Sequence, residues 1–149
     1  MEYDRFRVRS PIKTFRDLEV YQKTIQLSCE IIRLDFLTEN EINELKLISE
    51  KIPLLIAESY GDRYDSKELA CKKITESVEL ITNIITKLDI LKERFLENIN
   101  SKDILEKLLT KYIYQKRKVL NLRRAWERVF ENNNGESGKF SSDKDNRNR

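Results

Sequence analysis

Along most of this chain apolar residues recur at alternating steps of three and four. One run is Ala70, Ile74, Ser77, Ile81, Ile84, Leu88, Leu91 and Phe95. Another is Leu105, Leu108, Tyr112, Gln115, Val119, Leu122, Trp126 and Val129, and a shorter one is Ile42, Leu45, Ser49, Ile52, Ile56 and Ser59. Such spacing keeps one stripe of an α-helix turned toward its neighbours. Each run therefore predicts a helix with one buried side. The first helical stretch differs, because it carries two stripes. Leu18, Tyr21, Ile25, Ser28 and Ile32 form one, and Val20, Thr24, Leu27, Ile31 and Leu34 form the other. At about 100° per residue, an offset of two residues places them roughly 200° apart. A four-helix monomer needs only one such stripe inside, so the other is expected to meet another copy of the chain. Val20, Leu27, Ile31 and Leu34 are assigned to that oligomer interface.

The ends of these helices can be read from capping residues. Thr14 can cap the first, with Asp17 three positions on. Thr38 opens Thr-Glu-Asn-Glu, a capping box closed by Glu41. Asp65, with Glu68, is expected to open the third helix, and Asn100 or Ser101 the fourth. The helices are then expected over about 15–36, 39–60, 66–97 and 101–131. Connections this short make neighbours antiparallel, so the fold class is all-α, an antiparallel up-down-up-down four-helix bundle. The bundle spans 14–131, preceded by a basic N-terminal arm, 1–13. It is followed by a polar tail, 132–149, poor enough in aliphatic residues to be expected disordered. Gly61 is read as the left-handed residue that ends the second helix. Pro53 lies inside that helix, removes the hydrogen bond to the Ser49 carbonyl, and is expected to kink it.

Composition agrees. Three glycines and two prolines among 149 residues are too few for the turns of an all-β fold. No apolar stretch is long enough to span a membrane, and the N-terminus lacks a secretory leader's apolar core, so a cytoplasmic location is expected. Cys29 and Cys71 are then expected as reduced core residues. There is no histidine. That removes Ser-His-Asp and Cys-His chemistry and the Glu-x-x-His motif of di-metal bundles. The one constellation that resembles an acid/base set is Glu58, Asp62, Tyr64 and Asp65 in the corner "ESYGDRYD". Its simpler reading is helix-end chemistry, with carboxylates placed at the positive end of a helix dipole. No enzyme, cofactor or metal site is expected.

Charge changes the picture more. Residues 38–60 carry two basic and five acidic side chains, whereas 101–131 carry nine basic and four acidic. Opposite the core stripe of helix four lie Lys107, Tyr114, Arg117, Arg124 and Arg128, with Lys111 and Lys118 beside them. A basic line with an aromatic in it can follow a phosphate backbone, and arginine can grip phosphate with two hydrogen bonds. The alternative is a solvated surface with cations near a helix C-terminus.

Two segments carry a resemblance. "FRDLEVYQK" at 15–23 resembles the opening helix of the four-helix-bundle proteins encoded in intervening sequences of bacterial 23S rRNA genes. "IPLLIAESYGDRYDSKEL" at 52–69 resembles that family's second motif through Ile52, Pro53, Ile56, Ala57, Glu58, Gly61, Arg63, Ser66 and Glu68. The resemblance covers about residues 14–130. It implies a ring-forming bundle, commonly a homopentamer, with no established catalysis. It also implies kinship with the accessory variability protein of diversity-generating retroelements, which binds a reverse transcriptase and nucleic acid. Lys46 and Leu47 stand where the family usually has an arginine pair, so helix two is acidic here and RNA or DNA contact falls to helix four. The expected function is a non-enzymatic homo-oligomer that binds nucleic acid through helix four. A protein-binding accessory subunit of a reverse transcriptase is the other reading.

Overall fold

The computed structural model describes the backbone of residues 14–138 and the side chains through residue 128. A single 3-10 turn, Phe15–Asp17, leads into α1 (Glu19–Ile32), α2 (Glu39–Asp62), α3 (Lys67–Arg94) and α4 (Ile99–Gly138). Among the described residues there is no strand. Each helix packs on the next in sequence, and α4 closes on α1, so the four stand at the corners of a square. Ion pairs record the antiparallel register. Along α2 and α3 they run Glu44–Lys87, Lys51–Glu76 and Glu58–Lys73. Lys92–Glu106 ties α3 to α4, while Lys111–Glu30 and Lys118–Glu19 tie α4 back to α1. The bundle is therefore up-down-up-down, as the short connections require.

The apolar stripes form its core. Ile31, Ile52, Ile56, Ile74, Ile81, Ile84, Leu88, Leu105, Tyr112 and Val119 are fully buried. Burying each large side chain is worth about 1.5–3 kcal/mol against the entropy of ordering the chain. The polar positions inside the stripes are satisfied locally. Ser77 Oγ donates to the Ile74 carbonyl at 2.7 Å, and Thr24 Oγ1 to that of Val20 at 2.8 Å. Ser28 and Ser49 pair hydroxyl to hydroxyl across α1 and α2 at 2.9 Å.

Several helix ends differ from expectation. Thr14 does cap, with Asp17 completing the box, but what it closes is only the 3-10 turn. Leu18 then turns extended (φ −72°, ψ 125°) and is buried, so α1 starts at Glu19. At its other end Leu34 leaves the helix and is also buried, which stops α1 at Ile32 rather than 36. The Thr38–Glu41 box forms as read, with Thr38 N donating to Glu41 Oε1 at 2.9 Å. Gly61 does not end α2. The helix passes through it to Asp62, and a Cβ there would meet nothing within 4 Å. The cap of α3 is Ser66, not Asp65: Ser66 Oγ accepts from Leu69 N at 3.2 Å. For α4 it is Asn98, whose Oδ1 accepts from Ser101 N at 3.2 Å, while Ser101 is buried in the first turn.

Pro53 is buried and α2 remains one helix through it. Cys29 is exposed and Cys71 half-buried, both free, so neither thiol is the core residue expected. Burial raises the Cys71 thiol, with Glu127 adding to it. The backbone of α4 is helical seven residues past the expected bound at 131. The arm 1–13 and the tail from 139 onward lie outside the described residues.

Candidate nucleic-acid interface

The basic residues of α4 fall into two groups. Lys111 and Lys118 sit on the edge facing α1 and are held there. Lys111 Nζ donates to Glu30 Oε1 at 3.1 Å and Oε2 at 3.2 Å. Lys118 Nζ reaches Glu19 Oε1 at 3.4 Å and lies 5.3 Å from the centre of the Tyr114 ring. The Glu19 hydrogen bond raises the Lys118 ammonium above the usual lysine value. On the outer line, Lys107, Arg117, Arg124 and Arg128 are exposed, and none pairs with a carboxylate among the described residues. Arg124 makes only a local bond, Nη1 to Asn121 Oδ1 at 3.3 Å. Tyr114 lies between the two groups with its ring half-exposed. The seven expected residues therefore share one side of α4, but only four of the six cations are without a carboxylate.

The interface assigned to α1 is corrected. Val20, Leu27, Ile31 and Leu34 are 7%, 4%, 0% and 9% exposed, all within the chain's own core. Of the other stripe, Leu18 and Ser28 are also buried, and only Tyr21, Ile25 and Ile32 are left partly or wholly outward. Ile25 and Ile32 are exposed, and with Phe15, Tyr21, Pro53 and Leu54 they line an apolar groove of about 400 Å³ between α1 and α2. Both stripes are apolar at helical spacing, so the sequence does not say which residues of α1 the bundle covers.

Two of the three carboxylates of the α2–α3 corner, Glu58 and Asp62, are occupied. Lys73 Nζ lies 2.7 Å from Asp62 Oδ2 and 3.5 Å from Glu58 Oε1. Among the described residues no group of three or more acidic or cysteine side chains is placed to hold a metal ion.

A cluster that the sequence reading missed stands nearby. The Arg63 guanidinium lies 3.5 Å from the Tyr60 ring centre and 4.2 Å from that of Tyr64. Its Nη1 donates to the Tyr60 carbonyl. Trp126 of α4 packs 6.5 Å from Tyr60, joining α2 to the far end of α4. Tyr60, Arg63 and Tyr64 have the i, i+3, i+4 spacing of one helix face. Ending α2 at Gly61 conceals it.

Compared with models of known protein families, with curated proteins and with solved structures, the chain matches none.

Proposed function

We propose that this protein is a non-enzymatic homo-oligomer that binds nucleic acid through the outer face of α4. The observation that carries the reading is the line of Arg117, Arg124 and Arg128, exposed on one face and paired with no carboxylate among the described residues. Exposed arginines on a straight helix offer bidentate phosphate contacts at regular intervals, and releasing counterions from the phosphates supplies affinity. The acidic charge of the chain lies elsewhere, along α2, where Glu41, Glu44 and Glu58 are tied to α3.

Self-association rests on the outward stripe of α1. Ile25, Ile32 and Leu54 are 38%, 45% and 53% exposed along one groove, an apolar surface that a second copy would cover. Assembly through it would repeat the arginine line around an axis. The resemblance of residues 15–23 and 52–69 to the ring-forming intervening-sequence proteins points the same way. The same groove also favours a second reading, a protein partner such as a reverse transcriptase in place of another copy.

The test is binding of RNA and DNA oligonucleotides at two salt concentrations. Affinity should fall steeply with salt. Reversing Arg117, Arg124 and Arg128 together to glutamate should abolish binding without loss of helical content. Unchanged affinity in that variant removes α4 as the interface. Light-scattering mass distinguishes self-association from a partner: a single subunit at high micromolar concentration refutes the oligomer.

A further inference from the structure

The chain enters the bundle at one end of the α1–α2 groove. Phe15 lines that end, its ring edge-on to Tyr21 with 5.0 Å between centres. From there the apolar wall runs along α1 through Ile25 to Ile32. On α2, Leu54 lines the groove, and Leu47, two turns earlier on the same face, is exposed as well. Among the described residues Glu50 is the one charged side chain lining the groove. It is exposed and forms no ion pair with another described residue. The residues leading into Phe15 carry a matching pattern. In "RFRVRSPIK" Phe6, Val8 and Ile12 fall on even positions, and Arg5, Arg7 and Arg9 on odd ones. Alternation at period two puts the apolar side chains of an extended segment on one side and its cations on the other. Pro11 fixes its own backbone and biases Ser10 toward the extended form. An extended chain from Phe6 to Ile12 spans about 20 Å, and α1 from Tyr21 to Ile32 spans about 17 Å. The other end of the sequence offers no such match, because from 139 onward Phe140 is the only apolar residue.

We propose that residues 5–12 of one copy lie extended in the α1–α2 groove of another, which rests on the reading that this groove is where copies meet. Phe6, Val8 and Ile12 then cover Tyr21, Ile25, Ile32 and Leu54, removing apolar surface on both partners from water. Arg5, Arg7 and Arg9 stay at the rim, where Glu50 offers a carboxylate. The contact joins two different surfaces, an arm and a groove, so each copy both gives and receives. Such head-to-tail contacts build rings where the rotation between copies closes, and do not stop at two.

Light scattering and disulfide trapping on the full chain test this. Phe6→Asp combined with Val8→Asp should raise the concentration needed for assembly more than about tenfold, because two buried apolar side chains are lost. Helical content should not change. In a Cys71→Ser background, Val8→Cys oxidised with diamide should link to Cys29, which is exposed in the groove, and give a ladder of joined subunits. Adding Cys29→Ser should abolish the ladder. If the wild type assembles and either the aspartate variant assembles as well or no link to Cys29 forms, the arm is not the occupant and the self-association reading stands. A link confined within one chain overturns the proposal, since the arm then covers its own groove. A wild type that stays a single subunit removes both readings.

Discussion

Ile31 and Ile32 are adjacent, identical in chemistry, and about 100° apart around α1. The first is fully buried in the core; the second is 45% exposed in the groove against α2. Val20, Thr24 and Leu27 are likewise inward and Tyr21 and Ile25 outward, while Ser28 of the outer stripe turns in to pair with Ser49. Both stripes have helical spacing and both are apolar. What separates them is only which one faces Leu45, Ile52, Ile81 and Leu108 across the bundle. Apolar periodicity thus marks a surface that will be covered, and leaves open whether the chain itself covers it.

The largest effect that sharpens this contrast is on stability. Ile31→Ala should cost about 2–5 kcal/mol in urea unfolding, because it leaves a cavity in a packed core. Ile32→Ala should change it by no more than about 0.5 kcal/mol, as for other surface positions. Equal losses at the two positions would mean that the inward and outward sides of α1 are assigned wrongly. Ile32→Asp should, in contrast, lower the solution mass if self-association uses the groove, with the fold intact.

A smaller effect separates another adjacent pair. Ser66 caps α3 while Asp65 sits in the turn before it. Ser66→Ala should cost about 1 kcal/mol, and Asp65→Ala within about 0.5 kcal/mol. The reverse order would restore Asp65 as the cap.

The smallest effect is one of pH. The Arg94 hydrogen bond, with help from the Thr38 backbone N–H, holds the Glu41 carboxyl below the usual glutamate value. A carboxyl lowered in the folded state contributes stability above its unfolded value and loses it as pH falls through the folded one. The urea midpoint of the wild type should therefore drop in acid, and Glu41→Gln should flatten that drop between neutral pH and about pH 3. An unaltered acid limb would place the pH dependence elsewhere. Ile25 and Ile32 variants leave the Glu41–Arg94 pair untouched, so they should keep the wild-type pH profile.

Much of this fold is legible in the chain. The middle of each stripe, Leu45 to Ser59 in α2, Ala70 to Leu88 in α3 and Leu105 to Val119 in α4, is buried as the spacing implies, and the Thr38–Glu41 box opens α2 where the sequence places it. Helix ends were less legible where side chains compete. Asp65, Ser66, Asn98, Asn100 and Ser101 are all good capping residues, and among the last three it is Asn98 whose side chain accepts from the first turn of α4. Gly61 has the right chemistry for a stop, but nothing in its surroundings requires one; the helix runs on to Asp62, and the turn after it sets Arg63 against the Tyr60 and Tyr64 rings.

The candidate site divides in the same way. Sequence alone placed Lys107, Tyr114, Arg117, Arg124 and Arg128 on one line of α4, because residues three and four apart on one helix keep their mutual angles whatever surrounds them. It also fixed that α1 has two apolar sides. Only tertiary structure decided that Lys111 and Lys118 are held by Glu30 and Glu19, partners 81 and 99 residues away. The same is true of the choice of Ile31 for the core and Ile32 for the surface. A helix's pattern is unchanged when the helix is rotated about its own axis, so the rotation that selects inside from outside is set by packing against the other three.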